Sequence, residues 1–196
     1  MAVAQRTWPA GTLARVPYWV YQDPENHQRE LRRIFEGDTW NFVALESDLA
    51  KPGDFRTNFV GEMPVIVVRD ADGRINAFEN RCSHRGALIA IDDGGNAKRF
   101  QCIYHAWGYN LRGDLVSVAF EKGSQGRGGM PEGFCKEEHS PRKLRTTTIC
   151  GLVFASVGNP PPIEEYLGEA ILGRVTRVLR KPIRVLGRIV QVLPNN

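Results

Sequence analysis

"NRCSHRG" at residues 80–86 and "QCIYHAWGY" at 101–109 decide how this sequence is read. The first holds Cys82-x-His84 and the second Cys102-x2-His105, with seventeen residues between His84 and Cys102. Each short segment therefore offers one sulfur and one nitrogen. A tetrahedral zinc ion accepts two of each, so a Cys2His2 zinc site is the simplest account. Zinc fingers, however, pair cysteine with cysteine and histidine with histidine along the chain. Mixing the two types within each loop suits a two-iron cluster, in which one iron takes both thiolates and the other both imidazoles. Each loop then reaches both metals.

Composition limits what such a site can sit on. A chain of 196 residues that is 42% hydrophobic buries a sizeable core and makes one domain, or one and a part. The 26 basic and 22 acidic residues leave a net charge of +4, and the basic ones are scattered rather than gathered into a nucleic-acid stripe. The exception is "RVTRVLRKPIRVLGR" at 174–188, which has no acid and reads as a solvated face or a subunit contact. No apolar run reaches the roughly 18 residues a membrane helix needs, and "MAVAQRTWPAGTLARVP" lacks the apolar core of a secretion signal. The reading is a cytoplasmic protein with no membrane or nucleic-acid partner. In that compartment four cysteines point to metal or redox chemistry rather than to a disulfide framework. Cys135 and Cys150 lack histidine companions and read as ordinary thiols, Cys150 inside a strand.

The expected fold class is mainly β with flanking helices. "DPENHQRELRRIFEG" opens with Asp23 as N-cap and Pro24 at the first helical position, and places Leu31, Ile34 and Phe35 on one face before Gly37. From Trp40 onward come short β-branched and aromatic runs, "WNFVAL", "FRTNFV" and "PVIVVRD", punctuated by "KPGD", "GEMP" and "ADGR". The "DADG" turn predicts a hairpin joining "VIVVR" to "INAFEN", and "RTTTICGLVFASV" predicts another strand pair. The glycine-rich "EKGSQGRGGMPEG" at 121–133 has no following Gly-Lys-Ser/Thr and reads as a flexible surface loop, not a phosphate cradle. Prolines 160–162 close the β-rich part. A helix with apolar positions from Ile163 to Leu179 follows, and then an alternating, strand-like "PIRVLGRIVQVLP". The sequence looks cut within a second domain. The divisions expected are a helical segment at 1–39 that packs on the catalytic domain, a β-rich domain at 40–158, and the beginning of a truncated catalytic domain at 159–196.

Cys-x-His followed by Arg85-Gly86, and Cys-x2-His within "CIYHAWGY", resembles the Rieske [2Fe–2S] motif of aromatic ring-hydroxylating oxygenases. "FENRCSHRGALIA", "AFEKGSQGRGGMP", "EEHSPRKLR" and "CGLVFASV" extend the likeness over nearly the whole chain, toward large subunits that hydroxylate aromatic carboxylates such as terephthalate. The resemblance implies a Rieske-type antiparallel β-sandwich. It implies Cys82 and Cys102 on an inner iron and His84 and His105 on an outer one, with no catalytic residue in this chain. Gly86 and Gly108 would let the loops pass close to the cluster, and Tyr104 and Trp107 would pack over it and keep out water. His27 and His139 read as solvated or satisfied side chains rather than ligands.

As the family works, NAD(P)H electrons pass through a separate flavin reductase to the cluster. A mononuclear Fe(II) in the C-terminal part, beyond this chain, then adds O2 to an aromatic carboxylate, giving a cis-dihydrodiol. The partners implied are other large subunits in a trimer and small beta subunits. Anthranilate and salicylate stay open as substrates, and a stand-alone Rieske ferredoxin or a zinc-stabilised module as other classes. Ala87 and Tyr104 stand where high-potential Rieske proteins have extra cysteines, and Trp107 where they have a hydroxyl. The expected potential is therefore at the low end of the range, about −150 mV.

Overall fold

The computed structural model describes residues 7–8, 14–125, 127–181, 183 and 186. Ten strands form in chain order: β1 (Asn41–Leu45), β2 (Asp54–Val60), β3 (Met63–Arg69), β4 (Ile75–Glu79), β5 (Gly94–Asn96), β6 (Phe100–Gln101), β7 (Gly108–Tyr109), β8 (Leu115–Ser117), β9 (Lys143–Ile149) and β10 (Leu152–Ser156). Seven build one sheet in the order β1-β10-β9-β4-β3-β2-β5, and β6-β7-β8 build a second. Every pairing is antiparallel. The large sheet curls, so that the Asn58 amide in β2 reaches the Val43 carbonyl of edge strand β1 at 2.8 Å.

Strand β3 explains where the core sits. Its run Val65-Ile66-Val67-Val68 is wholly buried, because successive side chains point to opposite faces and both faces are covered. Val65 and Val67 join Val43, Leu49, Val60 and Val153 inside the curl. Ile66 and Val68 join Phe55, Phe78, Phe100, Trp107, Tyr109 and the two cysteines Cys82 and Cys102 on the other side. Each such side chain stabilises the fold by about 1.5–3 kcal/mol. The motif cysteines therefore form part of a core between the large sheet and the small one.

Two turns of one design flank that core. In the β3–β4 hairpin Asp70 Oδ1 accepts the amides of Asp72 and Arg74, and Gly73 takes φ +81. In the β7–β8 hairpin Asn110 Oδ1 accepts the amides of Arg112 and Asp114, and Gly113 takes φ +77. Arg112 then ties the turns together through Asp70 and Asp72.

The expected N-terminal helix begins as read, with Asp23 accepting the Glu25 amide at 2.8 Å and Pro24 at the first position of α2 (Pro24–Glu30), after a one-turn α1 (Trp19–Gln22). It then widens into a π-helical turn at Leu31–Phe35. Side chains of Thr39 and Asn41 claim the carbonyls of Ile34 and Phe35 there. Of the expected apolar face only Leu31 is buried, while Ile34 and Phe35 stay exposed. Cys150 differs from expectation: with Gly151 it forms the two-residue turn between β9 and β10, at φ +50 and +79, not part of a strand. The glycine-rich segment folds back on itself, Ser124 pairing with Arg127 and the Met130 amide reaching Glu121 O at 2.9 Å. Helix α3 (Ile163–Val178) follows the prolines, broken at Gly168, and buries only Ile163. The expected strand after it lies almost wholly outside the described residues.

Candidate metal centre

The ligand-bearing loops leave β4 and β6 and share one backbone pattern. Cys82 N donates to Ala87 O and Gly86 N to Cys82 O; Cys102 N donates to Trp107 O and Ala106 N to Cys102 O. In both, the fourth residue after the cysteine is left-handed, Gly86 at φ +75 and Ala106 at φ +55. Such a conformation suits glycine and strains alanine. The repeated geometry sets each histidine beside a cysteine, with both sulfurs inward.

The result is a division of donors. Cys82 and Cys102 are buried and next to one another, whereas His84 and His105 are exposed. The two imidazole rings stand perpendicular with centroids 4.6 Å apart. A cleft of about 380 Å³ opens between the loops, lined by the four side chains together with Arg85, Gly86, Ala87 and Tyr104. Among the described residues no three His, Cys, Asp or Glu side chains close on one ion. A tetrahedral zinc needs four ligands around a single point, whereas a binuclear cluster needs two at each end. Two sulfurs on one side and two nitrogens on the other fit the latter.

Electrostatics follow the same division. Burial pushes the Cys82 thiol up; the Tyr109 hydroxyl and the His84 amide oppose this, and the adjoining Cys102 thiol adds to it. His84 is held below the ordinary imidazole value by desolvation and by the positive charges of His105 and Arg85.

Trp107 stacks on His84, centroids 5.0 Å apart and planes 20° off parallel, and Phe134 and His139 lie edge-on behind it. This indole is buried. Tyr104, which also lines the cleft, is 72% exposed and parallels His105. Gly86 serves the loop through its positive φ. At Gly108 a Cβ would meet Ser117 in β8, so the missing side chain serves the pairing of β7 with β8. His27 is held to Glu62 and His139 Nδ1 to Cys135 O, each at 2.8 Å, and neither reaches the cleft.

Two residues escaped the sequence reading. Tyr109, fully buried, accepts the Ser83 amide at 3.1 Å, and its hydroxyl donates to Cys82 Sγ at 3.2 Å. The available signal was the alternation Trp107-x-Tyr109, which sends both rings to one side of a strand. Asn80, buried beneath the first loop, gave only the generic signal of a polar residue at a strand end.

Residues 39–125 match the Rieske [2Fe-2S] domain family. The alpha 2 subunit of the terminal oxygenase component of terephthalate 1,2-dioxygenase from Comamonas sp is 57% identical over 190 residues, covering 96% of this chain and 46% of that protein. The large subunit of anthranilate 1,2-dioxygenase from Burkholderia cepacia is 42% identical, over 92% of this chain and 43% of its own length. The solved structure of naphthalene 1,2-dioxygenase with indole in its active site superposes with a TM-score of 0.70 at 37% identity, over 77% of this chain and 33% of that one. The chain thus spans under half the length of these relatives. Its fold, its pair of Cys/His loops and the family match agree: residues 39–125 form a Rieske [2Fe-2S] domain, in a chain that is similar over nearly its whole length to part of the large subunits of aromatic-ring dioxygenases.

Proposed function

We propose that Cys82 and Cys102 bind one iron of a [2Fe–2S] cluster and His84 and His105 the other. The observation that carries this is the separation of two buried thiols from two exposed imidazoles across one cleft. Such a cluster, when bound, stores and releases one electron at a time. The chain's own residues set where that electron can cross: the sulfurs lie under the core, and the imidazole edges face outward. Trp107 fixes the plane of His84 and keeps water from its inner face. Exposed Ile103, Tyr104 and Phe120 form an apolar collar beside the ring edges, chemistry suited to a protein partner rather than to bulk water.

The whole protein is, on this reading, the large subunit of a multicomponent dioxygenase. It would receive NAD(P)H electrons from a flavin reductase and pass them to a mononuclear iron that adds O2 to an aromatic carboxylate. Terephthalate is the substrate favoured, because the terephthalate relative shares 57% of residues against 42% for the anthranilate one. We take residues 40–158 as the cluster domain, since both core clusters fall within it. Association with other large subunits and a small beta subunit, in the cytoplasm, completes the proposal. It agrees with the absence, among the described residues, of a helix long and apolar enough to cross a membrane. Incubating the full-length protein and its reductase with terephthalate, anthranilate and salicylate tests the substrate. A cis-dihydrodiol from terephthalate is expected, and turnover of anthranilate or salicylate alone would reject that assignment.

A further inference from the structure

Resting on that reading of the four ligands, we infer that Asn80 is a positioning residue for the cluster: its side chain clasps the outgoing leg of the first ligand loop to the incoming leg. Asn80 is 2% exposed. Its Oδ1 accepts the amides of Ile89 and Ala90, both at 2.9 Å, and its Nδ2 donates to Ala90 O at 2.7 Å. The side-chain amide thus pairs with the backbone of Ala90 as the peptide of a neighbouring strand would. Its own backbone amide is bound to Pro64 O of β3 at 2.7 Å. One residue thereby fastens both ends of segment 81–88 to the large sheet.

The chemistry of the clasp concerns the loop more than the sheet. Segment 81–88 carries Cys82 and His84, and the bonds closing it internally are Cys82 N to Ala87 O and Gly86 N to Cys82 O. Both lie within the loop and leave it free to swing as a unit. Attachments to residues outside the loop are needed to hold Cys82 beside Cys102 and keep His84 under Trp107. The Tyr109 hydroxyl supplies one such attachment at the tip, through Ser83 and Cys82. Asn80 supplies the other at the base, with three hydrogen bonds in a water-free setting where an unmade bond is costly.

The inference is tested by the stability of the cluster rather than of the fold. Asn80→Ala is compared with wild type and with Val153→Ala, a truncation in the separate core inside the curl. Cluster loss to a strong iron chelator is followed by bleaching of the visible bands, and chemical denaturation is measured in parallel. With Asn80 as a positioning residue, Asn80→Ala loses its cluster at least tenfold faster than Val153→Ala, and its reduced spectrum is altered. Equal loss rates and an unaltered spectrum overturn the inference, because Asn80 would then serve only general stability. Should Asn80→Ala not fold, Asn80→Asp carries the test, since it keeps both acceptor bonds and loses the donor. It is expected to lose the cluster faster than Val153→Ala, and equality overturns the inference again. Failure of wild type to take up iron and sulfide would instead reject the ligand reading itself.

Discussion

Replacing Tyr109 with phenylalanine removes one oxygen and leaves the ring, so the core around it stays filled. That oxygen accepts the Ser83 amide, which leaves its own hydrogen for Cys82 Sγ at 3.2 Å. Burial, together with Cys82, pushes the phenol well above its ordinary value, so it remains a donor at any working pH. A hydrogen bond to a ligating sulfur favours the reduced cluster, which is the more negative form. Such a bond contributes about 1 kcal/mol net. If that is the difference it makes between the two oxidation states, and a one-electron couple moves 59 mV for each tenfold change in equilibrium, the potential of Tyr109→Phe falls by about 40 mV. Protein-film voltammetry at pH 7 measures it directly. An unchanged or raised potential would refute the reasoning.

The strained alanine offers a test by stability. Ala106→Gly is expected to raise the free energy of unfolding by about 1 kcal/mol, and Gly86→Ala to lower it by a similar amount through its positive φ, both by urea titration. Burial would raise the Asp70 carboxyl, but hydrogen bonds from Arg74, Asn76, Arg112 and Asp72 outweigh it and hold the group below the ordinary aspartate value. Its stabilising contribution is therefore complete above that value and is lost as pH falls through the lower folded one. Asp70→Asn should cost about 1 kcal/mol at pH 7, kept small because Arg112 is half in solvent, and the gap from wild type should narrow in acid. Residues 1–196 on their own should accept electrons from a reductase yet hydroxylate no aromatic acid, because the remaining histidines are engaged with Glu62 and the Cys135 carbonyl. Product from this chain alone, detected by chromatography, would contradict that.

The strands were legible because β-branched runs alternate with turn residues, and the β3–β4 hairpin because "DADG" is a strong local signal. The β7–β8 turn, "NLRGD", has the same Asx-x-x-Gly logic but went unread, since only two- and three-residue strands flank it. Cys150 was misplaced for a related reason. "TICGLV" is apolar on both sides, and nothing in periodicity shows that a non-glycine residue will take positive φ. The candidate ligand set could be read from residue types and spacing, which mixed sulfur and nitrogen in each loop. What supports the ligands could not. Tyr109 and Asn80 act through contacts across 27 and 10 positions, a matter of tertiary packing. A glycine such as Gly108 shows in a sequence that something comes close, not that it is Ser117.

Nitrogen hyperfine spectroscopy on the reduced protein addresses the ligation most directly, when run beside iron and acid-labile sulfide analysis. The account predicts two irons and two sulfides per chain, and two distinct imidazole nitrogens coupled to the unpaired electron, one of which disappears in His84→Cys. A protein that binds one zinc without sulfide, or whose nitrogen couplings survive His84→Cys unchanged, would contradict it.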